Sequence, residues 1–234
     1  MRNYTDVLLS HDVNILYIDP PLSKAQVQFT SIYPYAELVG TLMYLSVLTR
    51  PDIAYHISTP IYMTCKSRSR VLNYLSRYPH LCLRYTRGSI NLQDADWGAC
   101  LRTRRSVSGY VVFMAGGPTA WMSKRQSIVT TSSRESEYVA CYHATQEVSW
   151  QRAVLHKIDL GPTGPTVIHI DNTSARSLAG DSVFHARSKH IDVKFHWLRE
   201  KVADGSMRLE YVPTNLQVAN VLIKALTGEA FHQH

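Results

Sequence analysis

Cysteine is scarce in the sequence and never closely paired: Cys65, Cys82, Cys100 and Cys141 stand far apart, with no C-x-x-C spacing. That excludes a thiolate zinc ribbon and a disulfide-stapled scaffold. It predicts reduced thiols in an intracellular protein, without distinguishing cytoplasm from nucleus. Long apolar runs are missing too. The longest, Leu38 to Leu48, is broken by Gly40, Thr41 and Ser46 and is too short to span a bilayer, so no membrane partner is expected. Met1 to Asn14 holds no apolar core of the kind a signal peptide needs. Acidic residues are outnumbered, 18 against 25 basic ones, and the formal net charge of +7 draws polyanions. What remains suffices for folding: 234 residues with 45% hydrophobic content fill one globular domain and a smaller appendage.

The basic excess is local. Between Lys66 and Arg105 lie Lys66, Arg68, Arg70, Arg77, Arg84, Arg87, Arg102, Arg104 and Arg105, against only Asp94 and Asp96. A cationic belt around an acidic pair is what a nuclease needs, with cations on phosphates and carboxylates on metal. A solvated basic face has the same composition. The pair sits in Gln93-Asp94-Ala95-Asp96-Trp97-Gly98, which reads as a short strand. A side-chain period of two then puts Asp94 and Asp96 on one face. Like charges on one face resist burial unless a cation neutralises them or water covers them.

In chain order, residues 1–34 read as an irregular tail or linker, with Pro20, Pro21 and Pro34 and little periodicity. Residues 35–80 read as a small helical appendage. Tyr35 to Leu48 is helix-like and stops at Arg50-Pro51, Pro51 opens a second helix, and Val71 to Tyr78 makes a third with Leu72 and Leu75 inward. Residues 81–228 read as an α/β domain and 229–234 as a tail. From Leu81 the period drops to two. Ile90 to Trp97, Ser108 to Met114 and Thr119 to Lys124 form an antiparallel meander, with Gly116-Gly117-Pro118 as a turn. A long helix starts at Ser132 or Ser133 and ends near Gly161, with Tyr138, Cys141, Tyr142, Thr145, Val148 and Leu155 as its buried stripe. Strand Thr166 to Asp171, a short helix Asn172 to Ala179, helix Lys189 to Ala203, strand Met207 to Val212 and a closing helix Gln217 to Leu226 follow. The inward face of that last helix is Val218, Val221, Leu222 and Ala225. The fold class is α/β with a mixed sheet. Trp97, Trp121, Trp150 and Trp197 are assigned to core packing.

Further acids can join the pair in space. Asp171 ends its strand at the carboxyl edge, where α/β sheets place their ligands. Glu135 and Glu137 lie about 200° apart on the long helix, so only one faces the sheet. Glu137, one turn before Cys141, is the inward one. Each acid also has an ordinary structural reading, Asp171 as a helix N-cap and Glu137 as a first-turn dipole partner.

Several motifs in order carry a family resemblance: Asp94-Ala95-Asp96-Trp97, Arg104-Arg105-Ser106-Val107-Ser108-Gly109-Tyr110, Ser133-Arg134-Glu135-Ser136-Glu137-Tyr138, Asp171-Asn172-Thr173-Ser174-Ala175 and His185-Ala186-Arg187-Ser188-Lys189-His190. Together they resemble the ribonuclease H domain of copia-type retrotransposon Pol polyproteins. Upstream, Glu37 to Leu45 and Thr49-Arg50-Pro51-Asp52-Ile53-Ala54-Tyr55 resemble the end of that family's reverse transcriptase. The resemblance implies a ribonuclease H-like five-stranded mixed sheet, an antiparallel meander followed by parallel strands, with flanking helices. It implies hydrolysis of the RNA strand of an RNA–DNA hybrid. Asp94, Glu137 and Asp171 match the first three catalytic carboxylates and would hold magnesium, with manganese as a substitute. Arg102, Arg104, Arg105, Arg187, Lys189 and His190 are the nucleic-acid contacts, and the rest of a retrotransposon polyprotein is a second expected partner.

The fourth position departs from the pattern. The family's Gln-x-Ala-Asp is here Gln217-Val218-Ala219-Asn220, so Asn220 offers a carbonyl oxygen without charge. The Gly-Tyr-Ser usual before the first acid is absent, and the segment Met63 to Val71 is shortened. A polymerase catalytic domain is not expected beside this domain in 234 residues. The chain is therefore a ribonuclease H impaired at position 220, or a decayed or repurposed nucleic-acid-binding relative. On the first reading Asn220→Asp raises cleavage.

Overall fold

Apolar residues on nearly every side make Tyr35–Leu48 (α1) a helix that needs neighbours, and it finds them through Leu42, which is fully buried. In the computed structural model, residues 35–58, 65–86, 92–99, 107–126, 133–171, 189–226 and 231 are described, the side chains of 35, 65–69, 92–99, 133–138 and 189–195 excepted. The tail 1–34 and the short helix Asn172 to Ala179 expected above lie outside these residues. The chain divides into two compact units, one holding residues up to Cys82 and the stretch from Ala225, the other Leu83–Lys224.

In the first unit, a 3-10 turn Pro51–Ile53, α2 (Ala54–Ser58) and α3 (Cys65–Arg77) follow α1. Leu42, Ile53, Ile57, Val71 and Tyr74 form the core, and Phe231 packs edge-on against Tyr74 with ring centres 6.1 Å apart. The inward residues of α3 are Val71 and Tyr74, with Leu75 partly covered and Leu72 exposed, because 3.6-residue periodicity puts Leu72 a quarter-turn off the core. Arg50 is buried at the helix stop. Its Nε and Nη2 donate to Asp52 at 3.0 and 2.7 Å, Nη1 reaches the Tyr78 carbonyl, and the guanidinium lies over Tyr74.

The second unit holds a five-stranded sheet in the order β3-β2-β1-β4-β5. β1 is Leu92–Ala99, β2 Val107–Met114, β3 Gly117–Arg125, β4 Thr166–Ile170 and β5 Met207–Tyr211. β1, β2 and β3 pair antiparallel, and β4 lies parallel to both β1 and β5. A meander, a helix and two parallel strands make this an α/β fold of the ribonuclease H-like kind. Residues 81–86 form no strand. Instead Thr86 donates its backbone N–H to Ala115, at the β2–β3 turn. That turn is Ala115-Gly116, both at positive φ, so Gly117-Pro118 opens β3 rather than turning the chain.

The long helix Ser133–Lys157 (α4) lies on one face of the sheet, and Lys189–Ala203 (α5) packs beside it. Tyr110, Val112, Ile168 and Ile170 from the strands meet Ala140, Cys141, Ala144 and Val148 from α4. Trp197 of α5 stacks edge-on against Tyr142 at 5.3 Å, but Trp150 is 63% exposed and belongs to no core. A polar clamp fixes α4 across β2 and β3. The Thr119 hydroxyl is 3.2 Å from Gln151 Oε1, whose Nε2 donates to Glu147 at 3.0 Å. Glu147 also faces Tyr110, whose phenol is pushed well above its ordinary pKa by burial and then by that carboxylate.

The other face carries the chain's last turns, where a closing α-helix was expected. Two 3-10 segments are found, Thr214–Leu216 and Val218–Leu222. Three residues per turn replace 3.6, so the buried set becomes Ala219, Asn220 and Leu222, with Gln217 and Ile223, rather than Val218, Val221 and Ala225. Gly109 explains the seat. Tyr110 and Val112 face α4, so Gly109 faces away, and a Cβ there would come 2.7 Å from Ile223 and 2.8 Å from Leu222.

Candidate active site

Every element carrying an expected acid belongs to this second unit, and three of them flank β1, the central strand. Asp94 and Asp96 are on β1 itself, and their backbones are paired with β2 on one side and β4 on the other. Glu137 is in the second turn of α4, which packs on β1 and β2. One turn further, Cys141 is buried against the sheet. The side chains of Asp94, Asp96 and Glu137 lie outside the described residues. Asp171 follows β4 directly and is half-buried, and the Val212 N–H donates to the Ile170 carbonyl at 2.8 Å, extending the β4–β5 pairing to the strand end.

Asn220 is the best-defined of the four. The 3-10 segment Val218–Leu222 packs against β2 and β1, and Asn220 is 3% exposed there. Its Nδ2 donates to the Thr214 carbonyl at 2.6 Å, and its backbone N–H to Gln217 at 3.2 Å. The amide orientation is fixed by chemistry, since a side-chain oxygen facing a carbonyl oxygen would have no proton to share. Asn220 thus ties the two 3-10 segments together, a role invisible in the motif Gln217-Val218-Ala219-Asn220.

Two further features escaped the sequence. β1 has a register irregularity against β2 between Leu92 and Ala95, so the alternation that put Asp94 and Asp96 on one face does not carry across it. On the β4–β5 side, His169 is the register partner of Asp96 and of Glu210. Glu210 lies 4.0 Å from His169 Nε2 and 2.6 Å from Arg208.

Among the described residues no group of three or more His, Cys, Asp or Glu forms a metal cluster. The donor chemistry nonetheless suits a hard cation: the available groups are carboxylates, while the Asn220 amide nitrogen is already used. Cys141 is no ligand, because burial pushes its thiol up to about 12, only partly offset by Thr145. Of the expected phosphate contacts, Arg102, Arg104, Arg105 and Arg187 lie outside the described residues. Lys189 and His190 open α5, with their side chains outside as well.

No protein-family model matches the chain. It is 34% identical over 208 residues to the retrovirus-related Pol polyprotein of transposon RE1 from Arabidopsis thaliana, a match covering 84% of this chain and 14% of that protein. The Pol polyprotein of transposon TNT 1-94 from Nicotiana tabacum matches at 34% over 208 residues, 85% of this chain and 16% of that protein. The chain belongs to the Pol polyproteins of copia-type retrotransposons. It spans about one seventh of the length of these Pol relatives. Among solved structures, the ribonuclease H1 of Halobacterium salinarum is similar with a TM-score of 0.40 and 17% identity, over 60% of this chain and 98% of that one.

Proposed function

We propose that this Pol segment is a magnesium-dependent ribonuclease H that hydrolyses the RNA strand of RNA–DNA hybrids. One observation carries the reading: Asp171 stands at the carboxyl end of β4, beside the central strand with the acidic motif, and the helix bearing Glu137 packs on that same strand. Ligands of open α/β sheets gather at such strand ends. An aspartate of β1, Glu137 and Asp171 would hold the metal; the motif match names Asp94 as the first. Bound magnesium would supply an activated water and stabilise the leaving 3′-oxygen. Arg102, Arg104, Arg105, Arg187, Lys189 and His190 grip phosphates, and hybrid recognition runs through backbone and 2′-hydroxyls rather than base edges. The remainder of the Pol polyprotein is the second partner.

A second reading, a domain that binds nucleic acid without cutting it, draws on Asn220, whose amide is committed to Thr214 where the family pattern has an acid. A labelled hybrid incubated with magnesium separates the two. Cleavage abolished by Asp171→Asn supports the nuclease. Binding that weakens with salt but leaves the RNA intact supports the second reading.

A further inference from the structure

Two acids in β1 compete for the place beside Asp171, and backbone register decides between them. β1 and β4 run parallel, with Ala95 opposite Ile168 and Asp96 opposite His169. Asp171 comes two residues after His169, and Asp94 two before Asp96. Measured along the strands, Asp96 is two residues from the level of Asp171 and Asp94 is four. With a rise of about 3.3 Å per residue and a strand spacing of about 4.8 Å, the Asp96 and Asp171 Cα atoms are roughly 8 Å apart, and those of Asp94 and Asp171 roughly 14 Å.

The chemistry sets a limit between these values. An aspartate oxygen reaches about 3.5 Å from its Cα on ordinary bond lengths. A magnesium–oxygen bond adds about 2.1 Å, so two aspartates share one ion across at most about 11 Å. Asp96 falls inside this limit and Asp94 outside it.

The regularity of β1 points the same way. Its pairing with β2 shifts between Leu92 and Ala95, and Asp94 lies in that stretch. Asp96 is in register on both sides, with Val111 and with His169. A residue locked in two ladders is a fixed support for a ligand, whereas a register shift re-aims its neighbours. We propose that Asp96, not Asp94, is the β1 carboxylate that shares a divalent ion with Asp171, an assignment resting on the metal-dependent reading above.

Manganese(II) chloride titrated into the intact 234-residue chain, with the free ion followed by electron paramagnetic resonance, tests this without any catalytic readout. The variants are Asp94→Asn, Asp96→Asn and Asp171→Asn, each compared with the parent by its metal-free melting curve. Losing a ligand should cost at least the 10–100-fold that outer-shell losses cost, so Asp96→Asn and Asp171→Asn weaken binding by about that factor or more, while Asp94→Asn stays within about threefold. Should Asp96→Asn unfold, Asp96→Ser, with no carboxylate and a smaller side chain, takes its place. Loss of binding in Asp94→Asn with retention in the Asp96 variants overturns the assignment and leaves the nuclease reading standing. Equal loss at both positions overturns it too. A parent chain that binds no manganese takes down the metal-dependent reading, and the assignment with it.

Discussion

Restoring an acid at position 220 is the obvious repair, and the structure predicts that Asn220→Asp damages the fold instead. The Asn220 Nδ2 donates to the Thr214 carbonyl at 2.6 Å from a site 3% exposed. Replacing that amide by a carboxylate removes a bond with a net value of about 1 kcal/mol and leaves an oxygen facing an oxygen, a further penalty of about 1–3 kcal/mol. The total, about 2–4 kcal/mol, lowers Tm by roughly 5–15 °C at pH 7.5 for a chain of this size. The sign with pH follows. The introduced carboxyl is held neutral in the folded state, where its hydroxyl can donate to Thr214, so its folded pKa rises above the ordinary value near ~4 by about 1.5–3 units. The deficit is complete above the folded pKa, shrinks as pH falls through it, and is gone below about pH 4. Differential scanning fluorimetry of both proteins from pH 4 to pH 8, with and without magnesium, measures this. The reasoning is refuted if Asn220→Asp melts at or above the parent at pH 7.5 without metal, or if its deficit does not narrow in acid.

Other consequences are as direct. Gly109→Ala puts a methyl 2.7–2.8 Å from Ile223 and Leu222, an overpacking penalty of about 1–3 kcal/mol, seen as a lower denaturation midpoint. In the helical unit, Arg50→Ala leaves Asp52 without its bidentate partner and should cost about 3 kcal/mol, read as faster hydrogen exchange in α1 and α3. Burial holds His56 neutral and lowers its pKa to about 4, from 6.5. The unfolded chain therefore binds the extra proton between those values, and the unit loses stability as pH falls from 6.5 towards 4. His56→Gln should flatten that slope in hydrogen-exchange measurements of α2.

Local chemistry made much of this legible. Arg50-Pro51 stops α1 where proline geometry requires, β2 alternates cleanly, and the apolar phase of α4 marks the face that buries Cys141, Ala144 and Val148. What stayed hidden depends on residues meeting from different parts of the chain. Asn220 looked like a weakened ligand because Thr214 sits in a turn whose geometry no period announces. Gly109 is required only because Leu222 and Ile223 fold back onto β2. Phe231 looked like tail, yet it packs on Tyr74 in the other unit's core. The register shift in β1 leaves the sequence Gln93-Asp94-Ala95-Asp96 looking regular, and it is imposed by the pairing with β2. Trp150 shows the converse: its aromatic ring suggested a core position, but its place on α4 turns it to the surface.

The most direct measurement is cleavage of a hybrid labelled on each strand in turn, with magnesium, by the parent chain and by Asp171→Asn. A carboxylate site at the end of β4 predicts RNA-strand cleavage only, abolished by chelation and by the single substitution while the melting temperature holds. Cleavage that persists in Asp171→Asn, or proceeds in the presence of chelator, contradicts it.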